Sequence, residues 1–232
     1  MKSEKVSELT INRLSIYLRC LNTLSDEGIA TVSSQTLAER FSLNSAQIRK
    51  DLAYFGEFGV RGVGYYVDDL RRQITTILGL ETEHRLAIVG AGNLGMALAN
   101  YDGFSGENFR VVAMFDNHPE KVGTSSKTGV PVYPASRLRE IVERDRIDIA
   151  AIAVPAHAAQ AALDAVVASG IRAVLNFAPA RISGPGWVKI RTVDLTISLE
   201  SLSYALARPL DAPLHDLDGA AELEIAEEHE TV

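Results

Sequence analysis

The stretch 85–95 reads RLAIVGAGNLG and constrains this chain more than any other. Leu86-Ala87-Ile88-Val89 is a short continuous apolar run, the pattern of a strand buried on both faces of a parallel sheet. It leads into Gly90-Ala91-Gly92-Asn93-Leu94-Gly95, a G-x-G-x-x-G, and then into residues 96–100, a good helix-forming stretch. Gly90 permits the tight turn out of the strand, Gly92 lets a pyrophosphate approach the backbone, and Gly95 lets the new helix sit close to the sheet. The helix start then offers free N–H groups and a positive dipole end to the phosphates. A second apolar run, Val111-Val112-Ala113-Met114-Phe115, ends in Asp116, 21 residues beyond Gly95. An acid there accepts hydrogen bonds from a ribose 2′-hydroxyl and repels a 2′-phosphate, which favours NAD(H) over NADP(H). The plainer alternative is a glycine turn in some other α/β domain; the strand before the motif and the helix after it argue against that.

Ahead of this motif, Val6, Leu9, Arg13, Ile16, Tyr17, Cys20 and Leu21 recur at helical spacing and predict a helix over 6–24 that also carries Arg19. Ser25-Asp26-Glu27-Gly28 stops it, and a very short apolar run follows at 29–32. Residues 35–41 and 45–55 predict two helices separated by Ser42-Leu43-Asn44, the first burying Leu37, Ala38 and Phe41, the second Ile48, Leu52 and Phe55. Two short helices joined by a tight polar turn form a helix-turn-helix, whose second helix enters the major groove. On that helix Gln47, Arg49, Lys50 and Tyr54 lie largely off the buried face, and Ser45, Gln47, Arg49 and Lys50 can reach base edges and phosphates. Residues 56–66 alternate glycines, Gly62 and Gly64 among them, with apolar residues around Arg61, and predict a two-stranded hairpin, or wing, with Arg61 near its tip. A guanidinium so placed enters a narrow minor groove. A helical bundle using a solvated basic face for protein contacts is the alternative; the attached wing tips the reading toward DNA. A further helix at 67–78 and a boundary at 80–84 close the first domain.

The second domain continues as α/β. Lys121 lies in a polar turn after Asp116, either at the adenosine end of a cofactor or simply in solvent. Residues 130–133 form a strand that Pro131 restricts to an edge or an end. A helix at 138–146 precedes a strand at 147–155 that Pro155 ends, where ligands of open α/β sheets lie. A helix at 156–169, strands at 173–177 and 188–193, and a helix at 195–207 complete a mostly parallel sheet. His157 reads as a helix-surface residue, because no nucleophile, cysteine or second histidine stands beside it. The final helix lines up Leu195, Leu199, Leu202 and Leu206 and needs a partner surface, its own sheet or another subunit. Net charge is −7, which by itself argues against nucleic acid, but residues 211–232 hold 8 acids and no Lys or Arg. The acidity is therefore a tail, expected to be disordered, and the rest is near neutral. Cys20 stands alone, so no internal disulfide forms, which fits a cytoplasmic protein. No secretory signal core and no apolar run long enough for a membrane span are present, and no metal-ligand spacing emerges.

R-L-x-x-Y-L-R at 13–19, Q-I-R-K-D-L-A-Y-F-G at 47–56, R-G-V-G-Y at 61–65, G-A-G-N-L-G-M-A-L-A-N-Y at 90–101 and N-F-A-P at 176–179 together resemble the Rex family of bacterial redox-sensing transcriptional repressors. The resemblance covers residues 6–208. It implies an N-terminal winged-helix domain at 1–80, a Rossmann-like NAD(H)-binding domain at 81–195, and a C-terminal helix at 196–210 exchanged between the subunits of a homodimer. It further implies binding to palindromic operator DNA when free or loaded with NAD+, and release when NADH binds. The matching coupling positions are Arg19, Tyr101 and Asp194: a charged contact between Arg19 and the partner subunit's Asp194 changes with redox state, with the Tyr101 hydroxyl competing or assisting. Tyr101, Pro155 and Leu195 then join the glycine loop, Asp116 and Lys121 as expected cofactor contacts. The family often has phenylalanine after that aspartate; Leu195 keeps the apolar character without the ring. A second reading is an NAD-dependent dehydrogenase with an accessory N-terminal domain. Against it, no His/Asp, Lys or Ser/Tyr-Lys constellation accompanies the glycine loop. A third is a cofactor-binding scaffold that never meets DNA.

Overall fold

The computed structural model describes residues 6–207, which fall into two compact units, 6–81 and 82–207. The expected acidic tail at 211–232 lies outside the described residues, as do positions 208–210 of the final helix. No helix among the described residues is long and apolar enough to cross a membrane.

In the first unit, α1 (Glu8–Asp26) starts at Ser7, whose hydroxyl accepts from the Thr10 N–H at 3.1 Å. Leu14, Tyr17, Leu18, Leu21 and Leu24 form its buried stripe, which packs on Val67, Leu70 and Ile74 of α4 (Val67–Ile77). Helix α2 (Ser34–Phe41) is capped by Ser33, and α3 (Ser45–Phe55) by Asn44, whose side chain accepts from the N–H groups of Ala46 and Gln47. Each cap of this kind is worth ~1 kcal/mol. Ser42, in the left-handed conformation, turns the chain between them, and Leu37, Ala38, Ile48 and Leu52 bury the joint.

The wing differs from the sequence expectation. Its two arms share a single bridge, Val60↔Gly64, around a tight turn at Arg61-Gly62. Strand β2 (Tyr65–Tyr66) pairs instead with β1 (Thr31–Val32), antiparallel. Gly64 explains the switch: at φ +97° it passes so close to β1 that a Cβ would lie 2.5 Å from the Val32 carbonyl oxygen.

In the second unit, six strands form one sheet in the order β5 (Val132–Pro134), β4 (Phe109–Asp116), β3 (His84–Val89), β6 (Ile149–Ile152), β7 (Ala173–Asn176), β8 (Lys189–Thr192). Every pairing is parallel, and β5, next to Pro131, is an edge strand. The central strands alternate between two apolar layers. Ala87, Val89, Ala113, Phe115, Ala150 and Ile152 face a cluster completed by α6 (Leu138–Asp145) and α7 (Ala156–Ala168). Ile88, Met114 and Ala151 face Ala99 of α5 (Asn93–Ala99). Asn176 of N-F-A-P is fully buried and ties the loop after β7: it accepts from the Ala178 N–H and donates to the Ala180 carbonyl.

Helix α8 (Leu195–Leu206) buries none of its residues. Leu195, Leu199, Leu202 and Leu206 are 62–86% exposed, so it does not fold back onto its own sheet.

Candidate functional site

The carboxyl ends of β3 and β4 bring the glycine loop and Asp116 together. Gly90 sits at φ +106°, and a Cβ there would lie 2.4 Å from the Ala153 carbonyl oxygen, two residues before Pro155. A Cβ on Gly95 would lie 1.9 Å from the Gly90 oxygen. Both glycines are thus required by packing. Gly92 is different: a Cβ there meets nothing within 4 Å, so this position is open to a ligand rather than closed by the fold. Gly92 caps α5 without a side-chain hydrogen bond, and Asn93 and Leu94, the first helical residues, are exposed.

Asp116 does more than sequence reasoning assigned to it. Its Oδ2 accepts from the Ala91 N–H at 2.8 Å and from Lys121 Nζ at 3.2 Å, and its Oδ1 accepts from the His118 N–H at 2.8 Å. Burial by itself raises the carboxyl's pKa; the N–H donors of His118 and Ala91 and the Lys121 ammonium outweigh it, so Asp116 titrates below the usual carboxylate range. The acid therefore fixes the loop from inside and keeps a negative charge at the carboxyl end of β4. Lys121 is paired with it rather than simply solvated.

Tyr101 stands just past the other end of α5, a helix of seven residues and so about 10 Å long at 1.5 Å per residue. It is 60% exposed and packs edge-on against Phe104. There it lines a cleft of about 430 Å³ under the amino ends of β3 and β4, with Arg85, Arg110, Tyr133 and Arg144. Asp194 caps α8, accepting from the Thr196 N–H at 2.9 Å, and Leu195 beside it is exposed. Pro155 precedes α7 at the carboxyl end of β6. Within one chain the fold gathers the glycine loop, Asp116 and Lys121; it does not gather Tyr101 or Asp194 with them. Among the described residues no group of three or more His, Cys, Asp or Glu side chains is arranged to hold a metal ion.

In the first unit, Arg49 and Lys50 are exposed on α3, Tyr54 is 43% exposed one turn later, and Ser45 is half-buried at the helix start. Arg49 Nη1 donates to the Ser34 hydroxyl of α2 at 2.9 Å. Arg61 and Gly62 are exposed at the tip of the wing turn, two residues before Gly64. Arg19 is exposed on α1. Gln47 is half-buried, and its amide donates to Asp51 Oδ1 at 2.7 Å. Sequence reasoning passed over Asp51, which is 3% exposed and also receives Arg13 and Tyr17 of α1. The signal was its place between Ile48 and Leu52, on the buried side of α3.

Residues 5–53 match the family model "Putative DNA-binding protein N-terminus", and residues 81–180 match "CoA binding domain". The chain is 48% identical over 208 residues to the redox-sensing transcriptional repressor Rex of Pelotomaculum thermopropionicum, covering 90% of this chain and 97% of that one. It is 47% identical over 204 residues to Rex of Desulfitobacterium hafniense, covering 88% and 97%. Among solved structures, RSP in complex with β-NAD+ and operator DNA aligns with TM-score 0.83 at 37% identity, covering 88% of this chain and 94% of that one. RSP in complex with β-NADH aligns with TM-score 0.77 at 36% identity, covering 87% and 94%.

Proposed function

The chain belongs to the Rex family of redox-sensing transcriptional repressors, and from that premise we propose how its two units work together. The N-terminal unit reads a two-fold symmetric duplex, the second unit holds NAD(H), and NADH binding weakens the grip on DNA. The protein works in the cytoplasm as a homodimer.

The observation that carries this reading is the pairing, in one chain, of an exposed basic reading helix with a glycine loop whose acid is built into it. On the DNA side, Arg49 and Lys50 meet phosphates and base edges from α3, with Ser45, Gln47 and Tyr54 around them, and Arg61 leads the wing turn toward the minor groove. On the cofactor side, the open space at Gly92 fits a pyrophosphate, and the ionised Asp116 fits an adenosine ribose. When bound, the nicotinamide supplies the signal, being cationic when oxidised and neutral when reduced. The protein's own part is to offer Pro155 and the partner's α8, led by Leu195, as an apolar enclosure that accepts a neutral ring better than a charged one.

Helix α8 supports the dimer. Its exposed leucines have no place on their own sheet, and burying each is worth ~1.5–3 kcal/mol. The family resemblance pairs Asp194, which caps this helix, with the partner's Arg19; Arg19 is exposed on α1. Two tests separate this reading from a dehydrogenase. The protein should bind NADH without consuming it in the presence of small oxidants, and it should recover a two-fold symmetric duplex from a randomised pool. Steady oxidation of NADH, or no recovered duplex, would count against it.

A further inference from the structure

Four donor groups from two helices converge on one buried carboxylate in the N-terminal unit. Asp51 lies in the second turn of α3 and is 3% exposed. Arg13 of α1 donates through Nε to Oδ2 at 2.6 Å and through Nη2 to Oδ1 at 2.8 Å. The Tyr17 hydroxyl donates to Oδ2 at 2.9 Å, and Gln47 Nε2, one turn earlier on α3, donates to Oδ1 at 2.7 Å. Burial raises the Asp51 pKa, and the hydrogen bonds from Arg13, Gln47 and Tyr17 outweigh it, so the group stays ionised at neutral pH.

An ionised carboxylate accepts hydrogen bonds and donates none. Gln47 must therefore turn its NH2 toward Asp51 and its amide oxygen the other way. An unrestrained glutamine swaps these two ends freely; this one does not. Gln47 is the third residue of α3, half-buried, in the first turn, where the reading helix of a helix-turn-helix meets base edges. In the major groove adenine N6 and cytosine N4 offer a proton, whereas guanine O6 and thymine O4 present acceptors.

We propose that Asp51 is a positioning residue that locks the Gln47 amide oxygen toward the groove, making Gln47 a selector for a base bearing an exocyclic amino group. The inference rests on the DNA-binding reading above. Arg13 and Tyr17 hold Asp51 in place from α1, so the polarity of one base contact is set by a helix that lies behind the reading helix.

The test uses the full-length protein and a two-fold symmetric duplex recovered from a randomised pool. Each adenine of the half-site is replaced in turn by purine, and each cytosine by its 4-deamino analogue, which removes the amino group alone. For the parent, one position per half-site should lose about tenfold in affinity, the scale of a good base contact. Gln47→Ala should show no loss there. Asp51→Asn offers Gln47 either amide end, so its preference at that position should relax to within about threefold between amino and carbonyl bases. Tyr17→Phe removes one hydrogen bond to Asp51 and leaves the amide polarity alone, so it should keep the parental preference even if overall binding weakens. Circular dichroism establishes that each variant is folded. Full parental sensitivity in Gln47→Ala, or parental preference in folded Asp51→Asn, would overturn the proposal; Gln47→Ala decides it if Asp51→Asn does not fold. A parent that selects no duplex would overturn the DNA-binding reading itself.

Discussion

Replacing Asp116 separates the job the structure shows, tying the glycine loop, from the job proposed for it, excluding a 2′-phosphate. In Asp116→Ala, the buried Ala91 N–H loses its acceptor, which costs ~1–3 kcal/mol. The His118 N–H is exposed and turns to water, and the partly exposed Lys121 pair adds ~0–1 kcal/mol. The expected loss is therefore ~1–4 kcal/mol, concentrated in the glycine loop. Asp116→Asn keeps an amide oxygen for Ala91 and should cost less than half of that. It nevertheless removes the negative charge that repels a 2′-phosphate, a repulsion of ~1–4 kcal/mol for like charges at roughly 4 Å. Thermal unfolding reads the first effect, and parallel NADH and NADPH fluorescence titrations read the second. Asp116→Asn should be nearly as stable as the parent yet shift the NADPH-to-NADH affinity ratio by about tenfold or more toward NADPH. The pH dependence has a fixed sign. The Asp116 pKa is depressed in the folded state, so its contribution is present above the ordinary carboxylate value near ~4 and lost as pH falls through the folded value. The parent's stability advantage over Asp116→Asn should therefore vanish in acid. A parental affinity ratio in Asp116→Asn, together with parental stability in Asp116→Ala, would refute both assignments.

Arg49→Ala and Lys50→Ala should each weaken duplex binding and flatten its salt dependence by about one counterion, with NADH affinity unchanged. Leu199→Asp with Leu202→Asp puts charge on the exposed apolar side of α8 and should convert a dimer to a monomer in light scattering; an unchanged mass would remove α8 from the interface. Arg19→Ala should leave NADH binding intact and blunt its effect on DNA, and a normal response in the shift assay would take Arg19 out of the coupling.

The features legible in the sequence are those with local causes. The G-x-G-x-x-G declares itself because strand, turn and helix each demand their residues within a dozen positions, and Pro131 marks an edge strand because it cannot serve a central ladder. Most helix starts fall within two residues of the sequence reading; α5 is the exception, beginning at Asn93, three residues before the helix-forming stretch 96–100. The wing was harder. Its alternating glycines spell a hairpin, but Tyr65 and Tyr66 pair with Thr31 and Val32, a choice made by chain far away in sequence. Asp51 is half legible: its place between Ile48 and Leu52 puts it on the buried side of α3, but its partners exist only once α1 delivers Arg13 and Tyr17 to it. The hydrogen bond from Ala91 to Asp116 spans 25 residues and needs the parallel pairing of β3 with β4 before it exists. The surface that covers α8 is not written in one chain's pattern at all, because a helix apolar on one side states a need without stating what meets it.

The proposed energetic link between the two units is read most directly from the dissociation constant of the protein for one two-fold symmetric duplex, by fluorescence anisotropy at fixed salt, with saturating NADH and with saturating NAD+. DNA binding should be at least about tenfold weaker with NADH than with NAD+, and, by reciprocity, the preference of the protein for NADH over NAD+ should fall by the same factor when the duplex is bound. Equal constants in the two titrations would contradict the link, even if the protein bound both the duplex and the nucleotide well.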